Sequence, residues 1–233
     1  MVADLELAPA GKKDPPIHYS VYGATSAKGE GPFPLILALH AGTKDARSFA
    51  TYLMPAAEAQ GAILVAAQGF REAVGADGFW WKGDGEEQAM LDRLVDHARK
   101  SLPPLDPKRF TVVGLLDGAE LGIKWALEKD RGVTGVIALN FLWKPPGPPK
   151  APKGLKFCLI ASKDAKDKLV SIAESADKAR KAVEGAGYAV VLRVVPGASR
   201  SFSDGWETEF RNAFDWFDGE LDWPKQLAEA ASK

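Results

Sequence analysis

Residues 109–121, RFTVVGLLDGAEL, decide how the chain is read, because an apolar, β-prone run ends there and a helical pattern begins. The expectation is a strand that turns sharply into a helix. Gly114 and Gly118 flank Leu116 with the spacing of a nucleophile elbow, G-x-Nuc-x-G. In such an elbow the missing Cβ atoms allow a turn tight enough to expose a strained central residue. Leu116 has no lone pair to attack a carbonyl and no proton to exchange, so the usual reaction of an elbow cannot start from it. Two other frames stay open. Asp117 lies one residue late and otherwise reads as a cap or first-turn acid at a helix start. Gly118 to Gly122 would centre Glu120, but only if the strand ran on through Asp117 and Gly118, which are poor strand residues.

Upstream, residues 35–39 are a continuous apolar run of the kind buried on both faces of a parallel sheet. His40, Ala41, Gly42 and Thr43 follow at once, and Asp45 or Thr43 can cap a helix carrying Phe49, Leu53 and Ala57. Residues 4–7 and 17–22 read as an antiparallel edge pair, and 62–67 as another apolar strand. The long loop 68–85 holds Phe79, Trp80 and Trp81, which either line a pocket mouth or lid the core. Residues 86–102 place Met90, Leu91, Leu94, Val95 and Ala98 at helical spacing, with His97 a half-exposed helix residue.

Downstream, the helix after the elbow extends to Lys129, and 133–139 is a strand. Residues 140–154 form a proline-rich loop whose prolines favour an extended path and whose lysines read as solvation. A strand at 156–162, a helix at 169–184 stopped by Gly185 and Gly187, and a last strand at 188–195 follow. Trp206, Phe210, Phe214 and Phe217 line one face of a closing helix. Strands alternating with helices predict an α/β fold of three layers: a mostly parallel sheet, helices on both faces, and no cap domain. The loops at 40, 116, 164 and 200 then gather at the carboxyl ends of the strands, where sites form.

A chain of 233 residues, 46% hydrophobic, suits one domain of this class over its whole length, 1–233. Its net charge of −1, from 30 basic and 31 acidic residues, provides no field to recruit nucleic acid or an anionic membrane. One cysteine, Cys158, excludes an intrachain disulfide or Cys-rich metal centre, and three histidines are scattered, so neither a metal nor another cofactor is expected. This usage fits a reduced, cytoplasmic compartment. The N-terminus lacks the apolar segment of a signal peptide, and no run reaches the length of a membrane span.

The chain resembles the α/β-hydrolase superfamily, in particular its compact branch of polyhydroxybutyrate depolymerase-like, feruloyl esterase-like and phospholipase/carboxylesterase-like proteins. Leu39-His40-Ala41-Gly42 is similar to the oxyanion-loop motif L-H-G-x, and Leu105-Asp106-Pro107-Lys108-Arg109 to the I-D-P-x-R lead-in. The resemblance puts the family's serine at Leu116. It puts the triad acid at Asp164, in Ser162-Lys163-Asp164, and the triad histidine at Arg200, in the segment from Pro196 to Phe202. An acid survives while nucleophile and base are replaced. Arg stays protonated near neutral pH and cannot act as a base, though it can pair with Asp164 in a bidentate salt bridge. His40 is implied to shape its loop through hydrogen bonds. Ser199, Ser201 and Ser203 are read as loop hydroxyls without a partner base. The NH groups of Asp117 and of the loop around Ala41 and Gly42 could still converge on a carboxylate or carbonyl ligand, with Trp80 and Trp81 at the rim. A non-catalytic binding or interaction protein, with a homo-oligomer left open, is therefore expected. The rival is an ester hydrolase that uses Asp117, Glu120 or His40 instead.

Overall fold

The computed structural model describes residues 2–9, 11, 15–23, 31–42, 44–69, 71–72, 78–144, 148–167, 170–197 and 206–231. In chain order its elements begin with strands β1 (Ala3–Leu7), β2 (Ile17–Tyr22) and β3 (Phe33–Leu39), helix α1 (Ala46–Ala59) and strand β4 (Ile63–Ala67). Two short strands, β5 (Arg71–Glu72) and β6 (Phe79–Trp80), lead to helix α2 (Gly85–Ser101). Strand β7 (Leu105–Leu115), helix α3 (Asp117–Glu128), strand β8 (Gly135–Leu139) and strand β9 (Lys156–Ser162) come next. A second short pair, β10 (Lys166–Asp167) and β11 (Val170–Ser171), precedes helix α4 (Ile172–Gly185) and strand β12 (Ala189–Val195). Helices α5 (Trp206–Asp218) and α6 (Trp223–Ala231) follow.

The eight-stranded sheet has the order β1-β2-β4-β3-β7-β8-β9-β12. Strands β1 and β2 pair antiparallel, β2 joins β4 antiparallel, and every later pairing is parallel. Strand β3 lies in the middle and is buried along its whole length, as its unbroken apolar run requires. Its alternate residues face opposite cores. Leu35, Leu37 and Leu39 pack with α2, α3 and α4, whereas Ile36 and Ala38 pack with α1, α5 and α6. The sheet therefore has helices on both faces, as the alternation of the sequence predicts.

The chain departs from the sequence reading in detail. The helix expected at 169–184 begins at Ile172, because Ser171 accepts the Glu174 NH as its cap and exposed Val170 belongs to a short hairpin strand. Strand β7 begins at Leu105, so the lead-in is extended backbone. Helix α6 was not expected. It packs Trp223 against Trp216 of α5, with ring centroids 6.5 Å apart. Thr43, proposed as an alternative cap, and Leu169 lie outside the described residues, while Asp45 caps α1 by accepting the Ser48 NH at 2.7 Å.

Candidate functional site

The crossing of β7 into α3 is built by the two glycines. A Cβ on Gly114 would stand 2.5 Å from the Ala119 Cα, and one on Gly118 would stand 2.3 Å from the Leu39 carbonyl oxygen. Between them Leu116 adopts φ 53° and ψ −118°. A non-glycine residue held there costs about 1–3 kcal/mol, and it persists only where its surroundings fix it. Here the Leu116 NH donates to the Leu139 carbonyl at 2.9 Å, and the Leu116 carbonyl accepts the NH groups of Ala119 and Glu120, each at 3.1 Å. The strained residue of the elbow is thus Leu116. Asp117 is the first residue of α3 and Glu120 lies within its first turn, so neither occupies the strained position.

A cleft of about 710 Å³ opens over this turn. Leu115, Leu116 and Leu121 supply hydrocarbon; Ala41, Gly42, Trp80 and Trp81 form one side, and Asn140 and Leu142 another. Asp117, Glu120, Lys44, Lys82, Lys124 and Lys144 bring charge to it. The two readings of the aromatic run divide between neighbours: Trp80 is 38% exposed at the rim, while Trp81 is 3% exposed and also joins the core on the α2 face.

Asp117 spans the cleft wall. One carboxylate oxygen accepts the Gly42 NH at 2.5 Å, and the other accepts the Trp81 NH at 2.8 Å. These are charge-assisted bonds from two loops that the carboxylate ties together. Of the loop NH groups around Ala41 and Gly42, the one at Gly42 is already engaged by the protein's own carboxylate.

His40 lies beneath this layer with no exposed surface. Nδ1 lies 2.7 Å from the Ala41 carbonyl and Nε2 accepts the Gly69 NH at 3.0 Å, an arrangement that assigns the proton to Nδ1 in a neutral ring. Burial pushes its pKa below the ordinary imidazole value, against the Ala41 carbonyl bond and the charges of Asp117 and Asp45. The Trp81 indole NH donates to the His40 carbonyl at 2.9 Å, and the two rings lie 5.1 Å apart. Both ring nitrogens are therefore used in holding loops.

Burial also raises the Glu120 carboxyl above its usual range, although Lys144 Nζ lies 2.7 Å away and opposes the shift. Lys124 Nζ donates to the Gly83 carbonyl at 2.6 Å, and buried Glu87 accepts the NH groups of Lys82 (3.0 Å) and Gly83 (2.5 Å). Lys124, Lys144 and the backbone of Lys82 and Gly83 are thus bound to the scaffold. Asp164 follows β9 in an exposed turn, where its NH donates to the Gly197 carbonyl at 2.9 Å, and the described residues lining the cleft do not include it. Arg200, Ser199, Ser201 and Ser203 lie outside the described residues, and with them the expected pairing of Arg200 with Asp164.

Sequence reasoning did not single out Asn140. Its φ is 49°, it is fully buried, and its side chain accepts the Ser162 NH at 2.7 Å while donating to the Ser162 hydroxyl at 3.1 Å. This clamps the ends of β8 and β9 beside the cleft. The available signal was an Asn at the end of an apolar strand, since Asn tolerates positive φ better than most residues.

No known protein family, as described by its sequence profile, matches the chain, and no curated protein matches it in sequence. Solved structures do match in shape. A carboxylesterase from Mesorhizobium loti aligns with a TM-score of 0.66 at 21% identity, over 87% of this chain and 95% of that one. A Bacillus cereus carboxylesterase gives 0.60 at 17% identity, over 88% and 95%. A ferulic acid esterase gives 0.66 at 13% identity, over 93% and 97%. The chain has the α/β-hydrolase fold seen in these esterase structures.

Proposed function

We propose that this chain is a one-domain, non-catalytic relative of carboxylic-ester hydrolases whose cleft binds a small organic molecule. The observation that carries the reading is Leu116 in the strained position of the elbow, at φ 53° and ψ −118°. An ester hydrolase that works through a nucleophile elbow needs a nucleophile there, and hydrocarbon supplies none. The replacement of the base position by Arg200 supports the same reading from sequence, because a guanidinium cannot accept a proton near neutral pH. The scaffold around the elbow is kept, and so is a cleft of a size suited to a small molecule.

Geometry weighs against each substitute for the lost pair. His40 has no exposed surface, and Nε2 accepts a backbone NH. Asp117 holds two loops through both of its oxygens, and Glu120 pairs with Lys144. The test is steady-state hydrolysis of p-nitrophenyl acetate and butyrate. The expected rate is no higher than that of the Asp164→Ala protein. A robust rate that Asp117→Ala or Glu120→Ala abolishes in a folded protein would refute the proposal and name the group that took over.

A further inference from the structure

We propose that Asp117 is an internal ligand: its carboxylate fills the anion position of the cleft, so the cleft selects hydrogen-bond donors, such as amides, over carboxylates. This rests on the reading of the cleft as a binding site and sharpens the ligand class. The Gly42 and Trp81 NH groups come from loops far apart in sequence and point at the two oxygens of one carboxylate, at 2.5 and 2.8 Å. Two backbone donors aimed at a carboxylate are what an anion site consists of. The space beside Gly42 fits the same picture, since a Cβ there would meet the Asp117 oxygens at 3.2 and 3.3 Å.

The consequence for a ligand follows from charge and from lone pairs. An incoming carboxylate would meet the fixed charge of Asp117, with Glu120 one turn further along α3, and would find the Gly42 NH already bonded. Each Asp117 oxygen accepts one of these backbone NH groups and retains acceptor capacity, so a ligand N–H or O–H can be taken without displacing the loops. Three of the four lysines lining the cleft have partners of their own, Lys144 on Glu120, Lys124 on the Gly83 carbonyl and Lys82 on Asp84, so the charge nearest the floor is that of Asp117. Of the carbonyl and carboxylate ligands that the sequence suggests, the amide-like carbonyl compound is the one this floor accepts.

Calorimetry with a matched pair, butyramide and sodium butyrate at equal ionic strength, tests the proposal on the wild type and on Asp117→Ala. Wild type should bind butyramide at least about tenfold more tightly than butyrate. In Asp117→Ala the preference should invert, because the emptied donors gain an anion; one charge-assisted hydrogen bond is enough for a change of that size. Equal affinities in the wild type, no gain for butyrate in the variant, or no binding of either compound to both proteins would overturn it. If Asp117→Ala does not fold, the isosteric Asp117→Asn decides by NMR. The asparagine amide offers one oxygen where the carboxylate offers two, so one of the Gly42 and Trp81 amide protons should lose its acceptor and move upfield while the other keeps a weaker, neutral acceptor; two unchanged resonances would overturn the proposal. Neither readout depends on ester turnover, so this proposal and the non-catalytic reading fail separately.

Discussion

Leu116 carries backbone strain that a different side chain would redistribute. Leu116→Gly should relieve the left-handed cost while losing hydrocarbon packed on the core, leaving stability within about 1 kcal/mol of wild type. Leu116→Val, β-branched at the same φ, should cost more than about 1 kcal/mol. Gly118→Ala should be far worse, above about 3 kcal/mol, since the added carbon would lie 2.3 Å from a backbone oxygen that cannot move alone. Urea denaturation of the four proteins orders them, and a tolerated Gly118→Ala would refute the close crossing. At this scale the two glycines and the leucine between them are readable from spacing, because an elbow is a local device. The role of Asp117 is not readable, because its partners stand 75 and 36 residues away, and only the folded chain brings them to its carboxylate.

Between elements, α2, α3 and the turn after α3 are joined by Arg131, whose side chain is 5% exposed. It donates to Asp92 at 2.6 Å, to the Trp125 carbonyl and to Glu128 at 3.0 Å, and its guanidinium lies 4.7 Å from the Trp125 ring centroid. The Trp125 indole NH also donates to Asp92, at 3.0 Å. Arg131→Ala leaves a half-buried carboxylate without its main partner and should cost roughly 3–5 kcal/mol; Arg131→Met, which keeps the packing, should cost less only when combined with Asp92→Leu. Burial alone would raise the Asp92 pKa, but the bonds from Arg131 and Lys129 outweigh it and hold the carboxyl below its ordinary value. A lowered acid contributes stability that is present above the unfolded value and lost as pH falls below about 4. Stability measured from pH 6 down to 3 should therefore fall less steeply in the Asp92→Asn protein than in wild type, and parallel curves would contradict the coupling. His40 adds a second window of the same sign. Its lowered pKa means that the unfolded chain binds the proton first, so its contribution is lost as pH falls through the ordinary imidazole range. The sequence showed helices α2 and α3 through their apolar periodicity, yet not Arg131, because a charged residue just past a helix end reads as solvated until the turn folds it back over Trp125.

Across the whole molecule, two cores on either side of one sheet place the ends of β3, β7 and β8 around the cleft. That architecture was legible, since unbroken apolar strands alternating with one-sided helices admit few arrangements. Short pieces were not. The two-residue strand pairs and helix α6 carry too few residues for a period to emerge, and α6 is held by Trp223 against α5. No helix among the described residues is long and apolar enough to cross a membrane. The fold alone, shared with esterases at 13–21% identity, leaves the chemistry to be decided by what occupies the elbow. The most direct measurement is the intact mass of the protein after saturating exposure to an activated fluorophosphonate and, separately, to p-nitrophenyl butyrate. Without a nucleophile at position 116 the mass should remain that of the unmodified chain under both treatments. A stoichiometric adduct mapped to Asp117, Glu120, His40 or one of Ser199, Ser201 and Ser203 would contradict the non-catalytic reading and identify the working nucleophile.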